Sequence, residues 1–116
     1  MDIESTIDSY FQIVDARQFD ELVHVFHREI EYERPGFDKL IGVEAVIDFY
    51  KNTRDIAAGH HELYGKLVCG QTAACWGRFE GSKKDGSRID ERFSDILTFE
   101  QGKMRTRVTF FFRPAI

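Results

Sequence analysis

The spacing of apolar residues changes near the middle of this chain. In the first half they recur every three or four positions, as in Ile7, Tyr10 and Val14, which is typical of a helix with one buried face. From His60 onward apolar and polar residues alternate in long segments, which indicates strands. Helices followed by strands predict an α+β fold, with helices packed on one face of a curved, mostly antiparallel sheet.

The same spacing sets approximate bounds for each element. Helices are predicted around residues 3–14, 19–26 and 43–53. A short strand precedes Pro35, because proline removes a backbone donor and restricts the residue before it. Four further strands are predicted over residues 60–69, 72–81, 87–99 and 103–112.

Length and composition favour one small domain spanning residues 1–116, with 42% hydrophobic residues and 11 phenylalanines to fill a core. A net charge of −4 gives no basic field for nucleic acid. No apolar run approaches the roughly 20 residues of a membrane helix, and the acidic start MDIESTIDSY lacks signal-peptide features, so a cytoplasmic location is expected. Metal-ligand spacings and glycine-rich nucleotide loops are missing from the sequence, so neither a metal nor a cofactor is expected.

Asp95 is the residue that most constrains a functional site. Alternation in the segment ERFSDILTF places it on the same strand face as Phe93, Leu97 and Phe99. Burying a carboxylate costs several kcal/mol unless it is paired, hydrogen-bonded or neutralised. Asp95 is therefore predicted either to form a structural pair or to line a pocket.

Turn residues allow the strands to be aligned. Two predicted three-residue hairpin loops, Lys84–Gly86 and Glu100–Gly102, place Asp95 opposite Cys75 on one side and Arg107 on the other. The same alignment pairs Phe93 with Gly77 and Thr109, and Glu91 with Phe79 and Phe111. The predicted inner face, apolar with a few polar groups as in a small-molecule pocket, is Ala73, Cys75, Gly77, Phe79, Phe93, Asp95, Leu97, Arg107, Thr109 and Phe111. A slip of one residue would exchange the two faces.

Several segments together resemble the nuclear transport factor 2-like superfamily. They are SYFQIVDARQFDELVHVF, EYERPGF, GVEAVIDFY, GRFEGSKKDG and RFSDILTFEQGKM. This superfamily includes ketosteroid isomerases, SnoaL-type polyketide cyclases, limonene epoxide hydrolase and scytalone dehydratase. The resemblance covers nearly the whole chain and implies a cone-shaped, cystatin-like α+β fold with three N-terminal helices on a curved sheet. It does not imply one reaction, because the fold hosts many activities.

The resemblance also suggests catalytic residues. Tyr10 matches the oxyanion tyrosine of ketosteroid isomerases, and Asp95 matches their protonated oxyanion aspartate. The position of their general base holds Arg34, which cannot accept a proton, so steroid-type isomerisation is not expected. SnoaL-type cyclases place an acid/base carboxylate in the pocket, which suits an Asp95 kept ionised by Arg107. The alternatives are a purely structural Asp95–Arg107 ion pair and a Tyr10 that only packs in the core.

Other residues complete the predicted site. One of His60 and His61 must face inward, and His61 is favoured because Leu63 and Leu67 share its face. Histidine is a natural acid/base at neutral pH, and the alternative is a histidine of an edge strand that is simply exposed. Tyr32 and Arg34 point the same way and suit an anionic or carbonyl ligand, unless they are a rim tyrosine and a solvated arginine. The remaining predicted substrate contacts are Phe49, Phe79, Phe93, Arg107, Thr109 and Phe111.

The outer face of the sheet also carries apolar residues, and they indicate an assembly. The predicted apolar stripe is Met104, Thr106, Val108, Phe110 and Phe112, joined by Trp76 and Ile96. Exposed aromatic patches of this kind favour aggregation unless another surface covers them. A homodimer is therefore predicted, as is common in the superfamily that the chain resembles.

Three functions remain open on the sequence. The favoured one is a cofactor-independent cyclase-, isomerase- or dehydratase-like enzyme that acts on a small apolar carbonyl compound through Asp95, Tyr10 and a histidine. The second is a domain that binds a small ligand without turnover. The third is a dimeric interaction module.

Overall fold

Short helices open the chain and long strands close it, in a computed structural model that describes residues 2–113. The elements are α1 (Ile3–Asp15), a 3₁₀ helix (Phe19–His24), β1 (Phe26–Glu33), β2 (Leu40–Ile41), α2 (Val43–Asp48), a π turn (Phe49–Thr53), β3 (Ala58–Cys69), β4 (Thr72–Ser82), β5 (Arg88–Glu100) and β6 (Lys103–Phe111). The predicted order of helices and strands is confirmed. The second predicted helix is a 3₁₀ helix, and the third ends in the π turn.

One sheet contains all six strands, in the order β2-β1-β6-β5-β4-β3. Strands β3 to β6 form an antiparallel meander. Strand β1 joins β6 in parallel, and β2 pairs antiparallel with β1. The predicted α+β fold with a curved, mostly antiparallel sheet is confirmed.

Helix α1 begins at a side-chain cap and buries one face. The Asp2 carboxylate accepts a hydrogen bond of 2.7 Å from the Ser5 amide, which satisfies a free donor of the first turn. Ile7, Tyr10 and Val14, at helical spacing, are buried in the core that also includes the inner side chains of the sheet. None of the helices within residues 2–113 is long and apolar enough to cross a membrane.

The first predicted hairpin register is confirmed. The Lys83 amide donates to the Ser87 carbonyl at 2.9 Å, which leaves residues 84–86 as the loop. Asp95 accordingly lies opposite Cys75 and is fully buried, as predicted.

The second predicted register is wrong by two residues. The turn holds only Gln101 and Gly102, both with positive φ, and a β-bulge follows in β6, where Met104 pairs with Phe99 but Thr106 pairs with Thr98. Asp95 therefore lies opposite Thr109 rather than Arg107, Phe93 lies opposite Phe111, and Arg107 lies opposite Leu97. A shift of two residues keeps every side chain on its face, so the predicted inner face is still the inner face.

Two side chains lie on the opposite face of the sheet from the one predicted, because of β-bulges. Met104, predicted on the outer face, is buried because the bulge turns it inward. A bulge between Leu63 and Gly65 sends Leu67 to the exposed side, so Leu67 does not share the face of His61. Of the remaining apolar side chains predicted outside, Val108 is half-buried, and the others are exposed, namely Trp76, Ile96, Phe110 and Phe112.

Candidate functional site

A small cavity lies between the helices and the inner face of the sheet. Its walls are Tyr10, Tyr32, Arg34, Tyr50, Arg54, His61, Phe79, Phe93, Arg107, Thr109 and Phe111. The space open to the centre of a water-sized sphere is about 20 Å³, which is room for about one water molecule. Any larger ligand needs wall side chains to move.

Asp95 and Arg107 form a buried ion pair at the floor of this cavity. The distance from Arg107 Nη2 to Asp95 Oδ2 is 3.1 Å, and Thr109 donates its hydroxyl proton to Asp95 Oδ1. Cys75 Sγ lies 3.8 Å from Asp95 Oδ2, and burial together with this carboxylate raises the pKa of the thiol to about 12. Asp95 is itself not part of the cavity wall, because Arg107 and Thr109 stand in the wall instead. The predicted pairing with Arg107 is therefore present, although the two residues are diagonal neighbours.

Arg107 also orients two tyrosines. Its Nη1 donates to Tyr10 Oη and, at 3.0 Å, to Tyr50 Oη, and the two hydroxyls share a hydrogen bond. Burial raises the pKa of Tyr10 well above its ordinary value and also raises the pKa of Tyr50, so both keep their protons at neutral pH. The shared bond uses one hydroxyl proton. The other proton can be donated to a group in the cavity, because both tyrosines line it.

A second hydrogen-bonded chain runs along the opposite wall. Arg34 Nη1 donates to Tyr32 Oη at 3.3 Å, and Tyr32 Oη lies 3.2 Å from Thr109 Oγ1. Because Thr109 donates its only proton to Asp95, Tyr32 must be the donor to Thr109. Burial opposes ionisation of Tyr32, but the charges of Arg107 and Arg34 leave its pKa below the ordinary value.

His61 is the only histidine in the wall, and Asp15 holds it. Its Nδ1 lies 2.5 Å from Asp15 Oδ1, and its backbone amide donates to Asp15 Oδ2 at 2.8 Å. A carboxylate accepts, so Nδ1 carries the proton and Nε2 keeps a free lone pair. Burial lowers the pKa of His61 although Asp15 opposes this, so the ring is neutral at pH 7. A neutral, oriented imidazole is suited to accept a proton.

Of the two adjacent histidines, His61 faces inward and His60 faces solvent, as predicted. The His61 side chain is 8% exposed, whereas that of His60 is 80% exposed. Phe11, Phe79 and Phe93 pack against the His61 ring, with centroids 4.9, 4.5 and 5.4 Å away.

Arg54 follows the π turn and enters the wall from the helical side. Its amide donates to the Phe49 carbonyl at 2.8 Å, a bond from residue i to i−5 that widens this turn. The guanidinium lies 5.3 Å from the Tyr50 ring centroid and 5.4 Å from that of Phe79. Its Nε is buried without a hydrogen-bond partner among the described residues.

Most of the predicted site residues meet at this cavity. Those in its wall are Tyr10, Tyr32, Arg34, His61, Phe79, Phe93, Arg107, Thr109 and Phe111. Asp95 lies behind the wall, and Phe49 packs beside Arg34, 5.0 Å from its guanidinium, rather than lining the cavity. The catalytic and binding roles of all these residues stay predictions.

The sequence reasoning missed Asp15 and Arg54 and treated Tyr50 only as core. Helical spacing offered a signal for each. Asp15 follows buried Phe11 by four positions, and Arg54 follows Tyr50 by four, so each continues an apolar stripe with a charged residue. Among residues 2–113, no group of three or more histidine, cysteine or acidic side chains is arranged to hold a metal ion.

The fold is that of nuclear transport factor 2-like proteins. An NTF2-like protein of unknown function from Exiguobacterium sp. 255-15 is 24% identical and has a TM-score of 0.80, over 94% of this chain and 99% of that chain. A SnoaL-like polyketide cyclase, so described, from Jannaschia sp. CCS1 is 13% identical with a TM-score of 0.83, over 95% and 85%. An LEH-like epoxide hydrolase from M. tuberculosis is 10% identical with a TM-score of 0.80, over 92% and 80%.

Within this fold the sequence identifies a narrower group. Residues 7–107 match the SnoaL-like domain, so the chain belongs to the SnoaL-like domain family. No curated protein sequence gives a significant match. The resemblance inferred from the sequence motifs is confirmed.

Proposed function

We propose that this protein is an acid–base enzyme that moves a proton on a small carbonyl compound, with His61 as the base. The observation that supports this most is the buried, neutral His61, whose Nδ1 is held by Asp15 at 2.5 Å and whose ring lines the cavity. Burial lowers the pKa of His61 from its ordinary value, so the imidazole is in its neutral, proton-accepting form at pH 7.

In the proposed reaction, His61 Nε2 removes a proton from a carbon next to a carbonyl group. The electron pair of the broken C–H bond moves to the carbonyl oxygen, which becomes an enolate. In the Tyr10–Tyr50 pair, the hydroxyl whose proton is not used between the two residues donates a hydrogen bond to that oxygen. Arg107 polarises both hydroxyls. If the protonated His61 returns this proton to another carbon of a conjugated enolate, the result is isomerisation. If it gives the proton to a β-hydroxyl group that leaves as water, the result is dehydration. If the enolate carbon attacks a second carbonyl group of the same molecule, whose oxygen takes the proton, the result is ring closure.

Asp95 takes a different part in this proposal from the acid/base role expected from sequence. Arg107 and Thr109 occupy its oxygens and separate it from the cavity. We assign it to positioning Arg107, so that its effect on the substrate passes through the two tyrosines.

The test is deuterium exchange next to the carbonyl of cyclic ketones and β-diketones, followed by proton NMR in D2O. We expect exchange above the buffer rate in the wild type. His61→Gln should lower it by about 100-fold or more, the usual contribution of a general base. His60→Gln is the matched control, because this neighbour is exposed, and should leave the rate unchanged. Asp15→Asn should lower the rate by less than His61→Gln does.

The outcomes separate the candidate functions. Wild-type exchange rates in His61→Gln would refute the assignment of the base. Binding of these compounds without exchange above the buffer rate would instead favour the ligand-binding domain.

A homodimer is proposed as well. The support is the row of exposed apolar side chains on the outer sheet face, where Trp76, Ile96, Phe110 and Phe112 are 37%, 44%, 52% and 72% exposed. Their contiguity across β4, β5 and β6 fits a surface that a second copy covers.

A further inference from the structure

Arg54 is a buried cation that the proposed proton transfer does not use. It is 7% exposed, and no carboxylate of residues 2–113 lies within 4.0 Å of its guanidinium. Its neighbours are the Tyr50 and Phe79 rings, which favour a cation but leave its N–H donors unused. Burial lowers the pKa of Arg54, yet an arginine stays charged in proteins.

Arg107, another buried arginine of the cavity wall, has partners that Arg54 lacks. Arg107 faces Asp95 and three tyrosine oxygens, and these hold its pKa well above the ordinary value although burial opposes this. The Nε atoms of Arg54 and Arg107 are both buried without a hydrogen-bond partner among the described residues. Of the two, only Arg107 has partners for its Nη groups, so Arg54 is the guanidinium whose donors are unused. Leaving a buried donor unsatisfied destabilises the protein, and the cost is larger for a charged group. An unused charged donor in a cavity wall is therefore suited to a ligand.

The charge of the cavity points to the kind of ligand. Arg54 and Arg107 both contribute to its wall, and the Asp95 carboxylate pairs with Arg107. The Asp15 carboxylate is engaged by His61 instead. The charge of Arg54 is therefore left without a carboxylate partner among residues 2–113, and an anion in the cavity would pair with it.

We infer that Arg54 binds a carboxylate group of the substrate, so that small oxo acids are preferred over neutral ketones of the same size. The inference deepens the proposed function and rests on it, because the ligand is a substrate only if the proposed reaction takes place. A guanidinium presents paired N–H donors that match the two oxygens of a carboxylate. Held there, the acid lies in the same cavity as His61 and the Tyr10–Tyr50 pair.

The test measures binding without turnover, by NMR of the arginine Nε–Hε groups in ¹⁵N-labelled protein. The probes are sodium acetate and sodium benzoate, each compared with its neutral amide of the same shape, acetamide and benzamide. In the wild type, we expect the acids to shift the Arg54 signal and to bind at least about tenfold more tightly than the amides.

Variants assign that preference to Arg54. Arg54→Gln should weaken binding of the acids by at least about tenfold and leave the amides unchanged. Arg88→Gln is the matched control, because it removes the same charge from a side chain that is 73% exposed. It should leave the binding of both acids and amides unchanged.

Three results would overturn the inference. They are equal binding of acid and amide, no shift of the Arg54 signal up to the solubility limit of the acids, or acid binding retained in Arg54→Gln. The first two are read in the wild type, so they stand even if Arg54→Gln fails to fold. Because no turnover is measured, a negative result here leaves the assignment of His61 as base untouched, and a failed exchange assay leaves carboxylate binding untouched.

Discussion

Removing the charge of Asp95 should destabilise the protein strongly, and Asp95→Asn is the cleanest change because it keeps the shape of the side chain. Asp95 is fully buried and Arg107 is 4% exposed, so the variant leaves Arg107 as a buried cation without a counter-ion. Breaking a buried pair in this way costs about 3–5 kcal/mol. For a domain of this size that corresponds to a fall in Tm of roughly 10–20 °C.

The same strand supplies a matched control. Asp90 pairs with Arg78 of the neighbouring strand through two contacts of 2.7 Å, but both side chains are exposed. Because water screens this pair, Asp90→Asn should have a much smaller effect than Asp95→Asn. Both variants are measured by urea unfolding followed by circular dichroism, with Tm from calorimetry.

A double variant checks the cause. Adding Arg107→Gln to Asp95→Asn removes the unpaired charge, so the double variant should be more stable than the sum of the two single effects implies. Strict additivity, or an Asp95→Asn variant as stable as Asp90→Asn, would refute the view that the Asp95–Arg107 pair holds the cavity floor together.

Three further predictions concern backbone packing, pH and assembly. Gly77→Ala should cost more than about 2 kcal/mol in urea unfolding, because an added Cβ would lie 1.9 Å from the Glu62 carbonyl oxygen; an unchanged midpoint would contradict this. The lowered pKa of His61 means that its contribution to stability is full above the unfolded value of about 6.5 and is lost as pH falls through the folded value, so His61→Gln should flatten that acid slope in a pH series of unfolding curves. Phe110→Asp should convert a wild-type dimer to monomer or aggregate in sedimentation, and a monomeric wild type at micromolar concentration would disprove the dimer.

Hairpin chemistry shows how far local sequence information reaches. The loop at residues 84–86 followed the expected pattern with glycine at its last position, and the register of β4 and β5 came out as predicted. The next hairpin did not, because Gln101 adopts a positive φ and a bulge follows the turn. Neither feature has a local signal, since the bulge depends on how the strands twist and pack.

The functional site also combines features that the local sequence predicts with contacts that it does not. Alternation along the strands, together with the hairpin alignment, put Asp95, Arg107 and Thr109 on the inner face, and a register error of two residues could not move them from it. Their contacts were not predicted correctly, because a two-residue shift changes which side chains are direct neighbours. Arg107 still reaches Asp95, since an arginine side chain is long enough to span the diagonal.

The sequence by itself therefore determined the order of the helical segments and long strands, the inward face of the sheet and the family, because these depend on periodicity and on the order of short motifs. It did not predict the two-residue strand β2 (Leu40–Ile41). Tertiary structure decided that Asp15 and His61, 46 positions apart, form a hydrogen-bonded pair, and that Arg54 enters the cavity beyond a π turn. Contacts between distant residues depend on the angle at which α1 and α2 cross the curved sheet. That angle is set by the packing of the whole core, and no short stretch of sequence encodes it.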